Sequence, residues 1–460
     1  MKLTVLGGGG VRSPFLAKSI VCGADEVGIT EVVFMDNDDR KLNIYGKMAK
    51  KLAELVNPKI RFSISSNAEA ALKDADFVIT TLRVAKDEGR THDERTALKY
   101  GVLGQETTGA GGFAMALRSI PALLEYCELV RKVSKPGAII FNFTNPSGIV
   151  TQALRMEGYD NVYGICDAPS EFIKQLQSIL KVDQKDFSIT CFGLNHLSWF
   201  KDARVKDKDV MEEILAHPGL YTDTEMRLFE PELTEISGDI MLNEYLYFYY
   251  YREKAVESIL KTGKTRGETI LEINNDMHRE LEKVDIDNNL ETAFRIFMEH
   301  YLIRENSYFS IESGQLRPRQ LTVPTLTEII KTPDEGGYAG VALNFIKAYT
   351  TGNEVEMVLS IPNNGAIEGL DDEDVVEITC RVGKGNVEPV KIGKVNDMQM
   401  NLINTIKSFE KYTIEAIKKK DRKLAVKALT IHPLVNSYSL AKPIVDEYLE
   451  IYKDYVGEWN

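Results

Sequence analysis

Residues 2–21 read KLTVLGGGGVRSPFLAKSIV, and this stretch decides the fold. The apolar run up to Leu6 is typical of a buried strand, and the four glycines after it are typical of a tight turn. From Val11 onward the apolar residues recur every three to four positions, which indicates a helix. A strand, a glycine turn and a helix in this order open a doubly wound α/β domain with a parallel sheet.

Later apolar runs continue the same pattern. EVVFMD at 31–36, ADFVITTL at 75–82 and AIIFNFT at 138–144 lack the polar alternation of a strand with one wet face. We predict a Rossmann-type domain over residues 1–185 and a second, α+β domain over residues 186–460, with the functional cleft between them. In the second part, long amphipathic stretches predict helices at 244–260, 289–305 and 399–428.

The composition is that of a folded enzyme without a nucleic-acid partner. Hydrophobic residues make up 43% and charged residues 27%, which are ordinary fractions for a globular protein. Against 56 Lys and Arg stand 69 Asp and Glu, which gives a net charge of -13. Such a chain would repel a phosphate backbone, because no cluster of basic residues offsets its negative charge.

Cysteine use and hydropathy predict a cytoplasmic location. Five scattered cysteines are an odd number, and they suit a reducing compartment better than a disulfide framework. The N-terminal stretch has too short an apolar run for a secretory signal. No window approaches the roughly 18 uncharged residues of a membrane span, so we expect no membrane partner.

The glycine turn predicts a dinucleotide site. Its residues without a Cβ atom let backbone N–H groups approach a pyrophosphate at the helix N-terminus: Gly7, Gly8, Gly9 and Gly10. Asp36 ends the next strand, where its carboxylate can accept both ribose hydroxyls, which favours NAD over NADP. Arg12 stands where the usual fingerprint has its third glycine, so a tight turn or a mononucleotide site is the alternative. We also assign Arg83 and Asn142 to cofactor binding.

Two short motifs, GICDAP and GLNHLSW, predict a metal pair. Cys166 and His196 each end a predicted strand, and a thiolate with an imidazole suits a divalent ion with positions left open for substrate oxygens. The alternative is that both residues are ordinary core residues. NEYLYFYYYRE places five tyrosines close together, and in a helix most of them would serve as packing. One that faces a metal-bound sugar could act as a base.

Arginines after a predicted strand suggest an anion site. Arg83, Arg90 and Arg95 are expected in a loop, and Arg266 stands in KTRGE of the second domain. A guanidinium group holds phosphate oxygens through two parallel hydrogen bonds. Any one of these arginines taken alone could instead form an ordinary surface ion pair.

In chain order, GGGGVRSP, LKYGVLGQETTGAGGFAMALRSIP, NFTNPSGIVTQAL, GICDAP and GLNHLSW resemble the NAD-dependent family-four glycoside hydrolases. The resemblance runs on through NEYLYFY, KTRGE and IPNNGAIE and so covers almost the whole chain. It implies a lactate/malate dehydrogenase-like fold and a cytoplasmic homodimer or homotetramer. It also implies hydrolysis of a phosphorylated glycoside, a reaction that departs from the usual two-carboxylate chemistry.

The resemblance further implies the route of the reaction. NAD takes a hydride from sugar C3, a base removes the C2 proton that the new ketone acidifies, and the aglycone leaves from C1 by elimination. Water then adds and the ketone is reduced again, so NAD is not consumed. A metal ion at the C2 and C3 oxygens would serve as a Lewis acid.

Motif positions assign these roles to residues of this chain. Cys166 and His196 would bind the metal, Mn²⁺ in the first instance, and Tyr245 would be the base at C2. Asn145 would hold sugar hydroxyls, and Arg90 and Arg266 would hold the 6-phosphate.

The chain departs from the family pattern after the metal cysteine. Phospho-α-glucosidases tend to carry CDMP and phospho-β-glucosidases CNVP, whereas this chain has CDAP. Asp167 is therefore a candidate proton donor to the leaving oxygen, or a support for the cysteine loop. QETTGAGGF and NHLSW resemble the β branch, which predicts a 6-phospho-β-glucosidase. The alternatives are a 6-phospho-α-glucosidase, a 2-hydroxyacid dehydrogenase on the same scaffold and a non-catalytic nucleotide sensor.

Overall fold

A computed structural model describes residues 1–317, 320–332 and 338–460. Strand β1 ends at Leu6, and the glycine turn leads directly into helix α1, which begins at Ser13 with Pro14 in its first turn. Proline suits this position because the first N–H groups of a helix have no partner within the helix. The opening stretch therefore forms the strand, turn and helix that its sequence predicts.

Six parallel strands form the sheet of the first part, in the spatial order β3, β2, β1, β4, β5, β6. They are β1 (Lys2–Leu6), β2 (Glu31–Met35), β3 (Arg61–Ser65), β4 (Phe77–Thr80), β5 (Ile139–Asn142) and β6 (Val162–Gly164). The connecting helices are α1 (Ser13–Val27), α2 (Asp39–Lys41), α3 (Lys47–Val56), α4 (Ala68–Leu72), α5 (Lys86–Lys99), α6 (Gly109–Val133), α7 (Ser147–Met156) and α8 (Ala168–Leu180). This arrangement confirms the predicted Rossmann-type fold.

Both faces of this sheet are buried, which explains the uninterrupted apolar runs. Leu3 and Val5 of β1 belong to the same core cluster as Ile20 of α1. Leu6 belongs to a second cluster, which contains Phe113 of α6. Because successive side chains of a strand point to opposite faces, a strand in this position needs apolar residues on both.

The sheet continues beyond the first part of the chain. Strands β11 (Val355–Pro362), β12 (Val375–Gly383) and β13 (Asn386–Pro389) add to its edge, with β11 antiparallel to β6 through Ser360 and Gly164. Within the described residues the sheet has nine strands. The division of the chain at residue 185 stays a prediction, and these three strands join residues beyond it to the first sheet.

A smaller antiparallel sheet contains β7 (Phe187–Leu194), β8 (Leu197–Val205), β9 (Lys208–Asp209) and β10 (Met241–Leu242). The helices after it are α9 (Met211–Leu215), α10 (Leu220–Asp223), α11 (Pro231–Ile236), α12 (Tyr247–Tyr250), α13 (Arg252–Thr262), α14 (Arg266–Leu281), α15 (Leu290–Asn306), α16 (Ser310–Ser313), α17 (Leu326–Lys331), α18 (Tyr338–Thr351), α19 (Asp397–Lys419), α20 (Arg422–Ile431), α21 (Tyr438–Ile451) and α22 (Lys453–Val456). Of the helices in the described ranges, none combines the length and the apolar character needed to cross a membrane.

Two of the predicted long helices are interrupted in the structure. The stretch 244–260 begins as a 3₁₀ turn at Glu244–Leu246 and continues as α12 and α13, with a break at Tyr251. The stretch 399–428 breaks before Asp421, whose side chain accepts hydrogen bonds from the first N–H groups of α20. The predicted 289–305 helix corresponds closely to α15.

Candidate active site

One cavity of about 940 Å³ lies at the carboxyl ends of the parallel strands, where this fold binds ligands. It brings together most of the site residues predicted from the sequence. Those that line it are Gly7, Gly10, Arg83, Arg90, Asn145, Cys166, Asp167, His196, Tyr245 and Arg266. The predicted residues that do not line it are Gly8, Gly9, Asp36 and Asn142.

Cys166 and His196 form a close pair on the cavity wall. Cys166 follows β6, and His196 stands in the tight turn between β7 and β8 with φ of 62°, a left-handed conformation that few residues adopt. Sγ of Cys166 lies 3.5 Å from Nε2 of His196. Two ligands of one ion at ordinary bond lengths and angles lie roughly 3.1–3.6 Å apart, so this pair fits a single divalent ion.

The surroundings of the pair favour its neutral form until a cation binds. Burial raises the pKa of the Cys166 thiol, with nearby Glu377 adding to the effect, and burial lowers the pKa of His196 to about 4. A bound cation reverses this preference for the thiol, because a coordinating thiol loses its proton. Among the described residues no group of three or more His, Cys, Asp or Glu side chains is placed to hold a metal. The pair would therefore leave positions of an ion open to substrate.

Tyr245 is buried beside His196 and belongs to a hydrogen-bonded group of side chains. Its hydroxyl lies 3.4 Å from that of Tyr308, which donates a hydrogen bond to Glu244. Burial raises the pKa of Tyr245, and the carboxyl of Glu244 raises it further. Burial likewise raises the pKa of Glu244, to about 8. Tyr245 therefore needs positive charge close by to act as a base near neutral pH.

Glu106 anchors two of the predicted arginines. Arg83 donates from Nη1 to Glu106 at 2.5 Å, and Nη1 of Arg90 lies 3.1 Å from the other carboxylate oxygen. Arg90 also donates from Nε to Glu94 at 2.7 Å. Burial opposes ionisation of Glu106, but Arg83 and Arg90 outweigh it and lower its pKa. These bonds fix both guanidinium groups at the cavity wall.

The prediction that Arg83, Arg90 and Arg95 share a loop is wrong for two of them. Arg83 lies in the loop after β4, whereas Arg90 and Arg95 belong to helix α5. Arg90 faces the cavity, while Arg95 forms a surface ion pair with Glu268. The charged residues of α5 hid its helical character, because its buried face carries Arg90 and other polar side chains instead of an apolar stripe.

Arg266 is held by uncharged oxygen atoms. Nη1 donates to the hydroxyl of Ser307 at 2.7 Å, and Nη2 donates to the carbonyl of Arg304 at 2.6 Å. Burial lowers the pKa of Arg266 to about 10, and nearby Arg90 and Arg304 contribute to this shift. Arg90 already has Glu94 and Glu106 as anionic partners, whereas Arg266 donates to uncharged oxygens, so Arg266 is the guanidinium group of this corner that suits a phosphate.

Asp167 reaches the cavity next to the metal pair, at the N-terminus of α8. Its carboxylate lies 3.8 Å from Nη1 of Arg12. Nη2 of Arg12 lies 3.7 Å from the carboxylate of Glu305. Enclosure by the protein raises the pKa of Asp167 although Arg12 opposes the shift. This shift is in the direction that a proton donor requires.

The glycine turn fits the close approach of a dinucleotide. Gly7 has φ of 96°, and a Cβ atom on it would lie 2.6 Å from the carbonyl oxygen of Thr81. Gly8 packs against Phe34, and Gly9 donates its N–H to Asp36 at 2.9 Å. Gly8 and Gly9 thus fasten the turn to β2, while Gly7 and Gly10 border the cavity with no side chain between backbone and ligand.

Asn142 is the last residue of β5, and Asn145 lies in the loop that follows it. The side chain of Asn142 is fully buried, where it accepts from the hydroxyl of Thr80 at 2.9 Å and donates to Thr151 at 3.0 Å. It supports the loop behind the cavity, so direct contact with a cofactor would require it to leave these bonds. Asn145 lines the cavity itself.

Sequence reasoning missed several cavity residues. Glu106, Glu244, Arg304 and Tyr308 line the cavity and hold the predicted residues or face them. Glu106 stands inside the QETTG motif, which was a detectable pattern without an assigned chemistry. Arg304 and Tyr308 come from the end of α15 and the turn after it, where no motif marks them.

Comparisons with known proteins match almost the whole chain. The profile described as "Family 4 glycosyl hydrolase" matches residues 2–182, and that of the "Family 4 glycosyl hydrolase C-terminal domain" matches residues 191–435. The 6-phospho-beta-glucosidase BglT of Thermotoga maritima is 33% identical over 99% of both chains. Its structure with manganese, NAD⁺ and glucose-6-phosphate superposes with a TM-score of 0.81, at 31% identity and over 100% of both chains.

Two further structures widen the comparison. A 6-phospho-alpha-glucosidase from gut microorganisms, solved with NAD and Mn²⁺, has a TM-score of 0.81 and 25% identity over 100% of this chain and 99% of that one. A malate dehydrogenase from Naegleria fowleri has a TM-score of 0.51 and 11% identity over 90% of this chain and 98% of that one. The last likeness is one of fold alone, and it agrees with the predicted dehydrogenase-like architecture.

Proposed function

The chain belongs to family 4 of the glycosyl hydrolases, and we propose that it cleaves 6-phosphoglucosides, β-linked ones in preference, to glucose 6-phosphate and the aglycone. One observation carries the proposal. A Cys/His pair spaced for one ion, a buried tyrosine and two buried arginines line a single cavity at the carboxyl edge of a Rossmann-type sheet. A 2-hydroxyacid dehydrogenase would not need this combination, because its reaction uses a histidine base and not a metal-bound cysteine.

We propose NAD and Mn²⁺, or another divalent ion, as the cofactors. When bound, NAD supplies a hydride acceptor for sugar C3 and later returns the hydride, and the ion supplies a Lewis acid for the adjacent sugar oxygens. Gly7 and Gly10, whose own N–H groups donate to backbone carbonyls, would let the dinucleotide approach the turn closely because they have no side chain, and Cys166 and His196 would hold the ion. The structures of relatives solved with both groups support this assignment.

Tyr245 is the proposed base. It would accept the proton of sugar C2 after oxidation at C3 has acidified that position, and it would return a proton to C2 later in the cycle. Its hydroxyl contacts Tyr308, which donates to Glu244, so a hydrogen-bonded chain leads away from the base. This chain holds the phenol ring in place and offers Glu244 as an acceptor for the proton that the phenol must lose before it acts as a base.

Asp167 is the proposed acid. As the C1–O bond breaks by elimination across C2 and C1, its carboxyl group would give a proton to the departing oxygen of the aglycone. Water would then add to C1 while C2 regains its hydrogen, and return of the hydride to C3 would complete the hydrolysis. The neighbouring Arg12 would hold the carboxylate that remains, since the two side chains lie 3.8 Å apart.

Three residues are proposed to bind the substrate. Arg90 and Arg266 would share the 6-phosphate, since both line the cavity and Arg90 lies close enough to lower the pKa of Arg266. Asn145 would hold sugar hydroxyls from the loop after β5. Phosphate binding by buried arginines would make the enzyme selective for phosphorylated over neutral glucosides.

The anomer is the finer part of the proposal. The QETTGAGGF and NHLSW motifs and the 33% identity to a 6-phospho-beta-glucosidase support β. A 6-phospho-α-glucosidase is the second candidate, because Asp167 follows the metal cysteine and borders the cavity as a general acid would. Rates on p-nitrophenyl α- and β-glucoside 6-phosphates, measured side by side with the same enzyme, decide between them.

The decisive experiment is an assay of aglycone release with NAD⁺ and Mn²⁺ added together, separately and not at all, run in D₂O. We expect release only with both present, and deuterium at C2 of the glucose 6-phosphate product. Turnover that survives removal of both cofactors, with the C2 hydrogen retained, would contradict the proposal. Stoichiometric NADH formation from lactate or malate would instead favour the dehydrogenase alternative.

A further inference from the structure

The loop before helix α6 is organised around one amide oxygen. Oε1 of Gln105 accepts hydrogen bonds from the backbone N–H groups of Thr107 and Thr108, at 2.6 and 3.1 Å. It also accepts from the hydroxyl of Thr107 at 2.7 Å. Because a backbone N–H can only donate, the atom that receives these bonds must be the oxygen of the amide group. The hydroxyl hydrogen of Thr107 is therefore committed to Gln105.

This commitment determines how Thr107 meets His196. Oγ1 of Thr107 lies 3.0 Å from Nδ1 of His196. Since the hydroxyl has already given its hydrogen to Gln105, it can only accept from the imidazole, so Nδ1 carries the ring hydrogen. In a neutral imidazole the other nitrogen then has a free lone pair. That nitrogen is Nε2, which lies 3.5 Å from Sγ of Cys166.

The opposite tautomer conflicts with the same contacts. It would place a hydrogen on Nε2, toward Cys166, and a lone pair on Nδ1, toward Thr107. The Thr107 hydroxyl would then have to turn to Nδ1 and abandon Gln105, whose oxygen is buried with the rest of its residue. Exchanging the bond to Gln105 for a bond to Nδ1 leaves the number of hydrogen bonds of Thr107 unchanged. The hydrogen on Nε2 would also occupy the electron pair that is needed to bind an ion.

Two glycines hold this loop against the first turn of α6. A Cβ atom on Gly111 would lie 2.2 Å from the carbonyl oxygen of Gln105, and one on Gly112 would lie 2.7 Å from the carbonyl carbon of Thr107. Real Cβ atoms do not approach backbone this closely, so larger residues would push the loop away from the helix. The GAGG part of the motif thus keeps Thr107 at its distance from His196.

We propose that Thr107, held by Gln105, is a positioning residue that fixes His196 in the Nδ1–H tautomer and so keeps the Nε2 lone pair directed toward the proposed metal site beside Cys166. This inference rests on the metal site of the proposed function. Residues 105–107 would then have two functions. Glu106 anchors Arg83 and Arg90, while Gln105 and Thr107 orient His196. A metal-ligating histidine whose second nitrogen lacks its partner binds its ion less tightly.

The test compares Thr107→Val and Thr107→Ser with the matched control Thr108→Val. Thr108 lies in the same loop and its hydroxyl contacts Tyr249 at 2.7 Å, not His196. Mn²⁺ titration followed by EPR, without substrate, gives the dissociation constant of each variant. We expect Thr107→Val to weaken Mn²⁺ binding roughly 10- to 100-fold, and Thr107→Ser and Thr108→Val to stay within about threefold of the wild-type protein.

A spectroscopic readout tests the tautomer independently of the ion. Long-range ¹H–¹⁵N spectra of histidine-labelled, metal-free protein report which ring nitrogen carries hydrogen, and the His196 signals are assigned by their loss in His196→Gln. The wild-type protein and Thr107→Ser should show the Nδ1–H form, and Thr107→Val should show a mixture or the Nε2–H form. Thermal unfolding of each variant identifies any that misfolds.

Two results would overturn the inference while leaving the proposed function intact. One is a Thr107→Val variant that binds Mn²⁺ as tightly as the wild-type protein, and the other is a wild-type His196 in the Nε2–H form. If the wild-type protein itself binds neither Mn²⁺ nor another divalent ion, the proposed function fails as well. The two failures are therefore distinguishable in one set of titrations.

Discussion

The imidazole ring of His196 stacks on the phenol ring of Tyr245, with centroids 3.9 Å apart and planes inclined by 12°. The two rings come from separate elements, the turn between β7 and β8 and the 3₁₀ turn at Glu244–Leu246. The stack fixes the proposed base against a proposed ligand of the ion. Because burial raises the pKa of Tyr245, positive charge near His196 is what would let the phenol ionise to the phenolate that acts as the base.

Removal of the Tyr245 hydroxyl should slow proton abstraction and leave binding intact. We expect Tyr245→Phe to lower kcat by about 10²- to 10⁴-fold, since a positioned base contributes that much. KM and the Mn²⁺ dissociation constant should change little, because the ring stack survives. Any product still formed in D₂O should carry deuterium at C2, because the slower turnover follows the same route.

Tyr250→Phe is the matched control for that variant. Its hydroxyl is buried without a hydrogen-bond partner in the described ranges, so its removal should leave kcat unchanged. If Tyr245→Phe kept wild-type kcat and C2 exchange, the role of Tyr245 as base would be refuted.

Loss of either proposed ligand should abolish metal binding and activity together. Cys166→Ser replaces a thiolate by a weakly acidic hydroxyl, and His196→Ala leaves no donor atom. We expect each to weaken Mn²⁺ binding by at least about 100-fold, measured by EPR titration, with a parallel loss of aglycone release. Cys22→Ser, at an exposed position, is the control and should bind normally. Full activity in Cys166→Ser would exclude the pair as the metal site.

Truncation of Arg266 should weaken recognition of the phosphate in particular. Its guanidinium group is held by the oxygens of Ser307 and Arg304, so it remains available to an anion. Loss of a charge-assisted hydrogen bond predicts that Arg266→Ala raises KM for the 6-phosphoglucoside roughly 10- to 100-fold. Arg295→Ala, which breaks a surface pair with Glu299, should leave KM unchanged. Steady-state kinetics on both variants provide the comparison. A KM for Arg266→Ala equal to that of the wild-type protein would refute the assignment of Arg266 to phosphate binding.

The parallel sheet could be predicted because its determinants are local. A glycine turn after a strand, and strands buried on both faces, leave their mark within a few adjacent residues. The return of β11 to the same sheet left no such mark, since the pairing of Ser360 with Gly164 depends on segments that are far apart in the chain. Strand pairing at long range is decided by the packing of whole elements, not by a local pattern.

The candidate site shows the same division. Cys166, His196 and Tyr245 could be predicted, because each stands in a short motif and has chemistry of its own. Thr107 and Arg304 could not, because their roles follow from side chains of other segments, such as the Nδ1 atom of His196. Motif reading found the residues that would react, and the structure adds the residues that hold them.

Stability of the metal-free protein should depend on the pH through Glu377. Its buried carboxylate accepts hydrogen bonds from Asn195 and Ser198, but burial dominates and raises its pKa from 4.5 to about 7. The folded protein then binds more protons than the unfolded chain between these values. The contribution of Glu377 is complete below pH 4.5 and is lost as the pH rises through 7, by up to about 3 kcal/mol.

Chemical denaturation at several pH values between 4.5 and 8 measures this effect. The free energy of unfolding of the wild-type protein should fall with pH relative to that of Glu377→Gln, which cannot ionise. The exposed Glu257→Gln is the control and should follow the wild-type curve. Parallel curves for the wild-type protein and Glu377→Gln would show that Glu377 titrates normally.

Removal of the carboxyl group of Asp167 should lower kcat to an extent that depends on the leaving group. An acid that protonates the departing oxygen matters most when the aglycone is a poor leaving group, such as an alkyl alcohol, and least when it is p-nitrophenol. We expect Asp167→Asn to lower kcat by about 100-fold or more on alkyl 6-phosphoglucosides and by less than roughly threefold on the p-nitrophenyl substrate. The exposed Asp207→Asn should leave both rates unchanged. Equal loss of kcat on all substrates, together with weaker Mn²⁺ binding, would contradict the role of Asp167 as proton donor. Asp167 would then support the cysteine loop, because a distorted loop changes the ion site regardless of the leaving group.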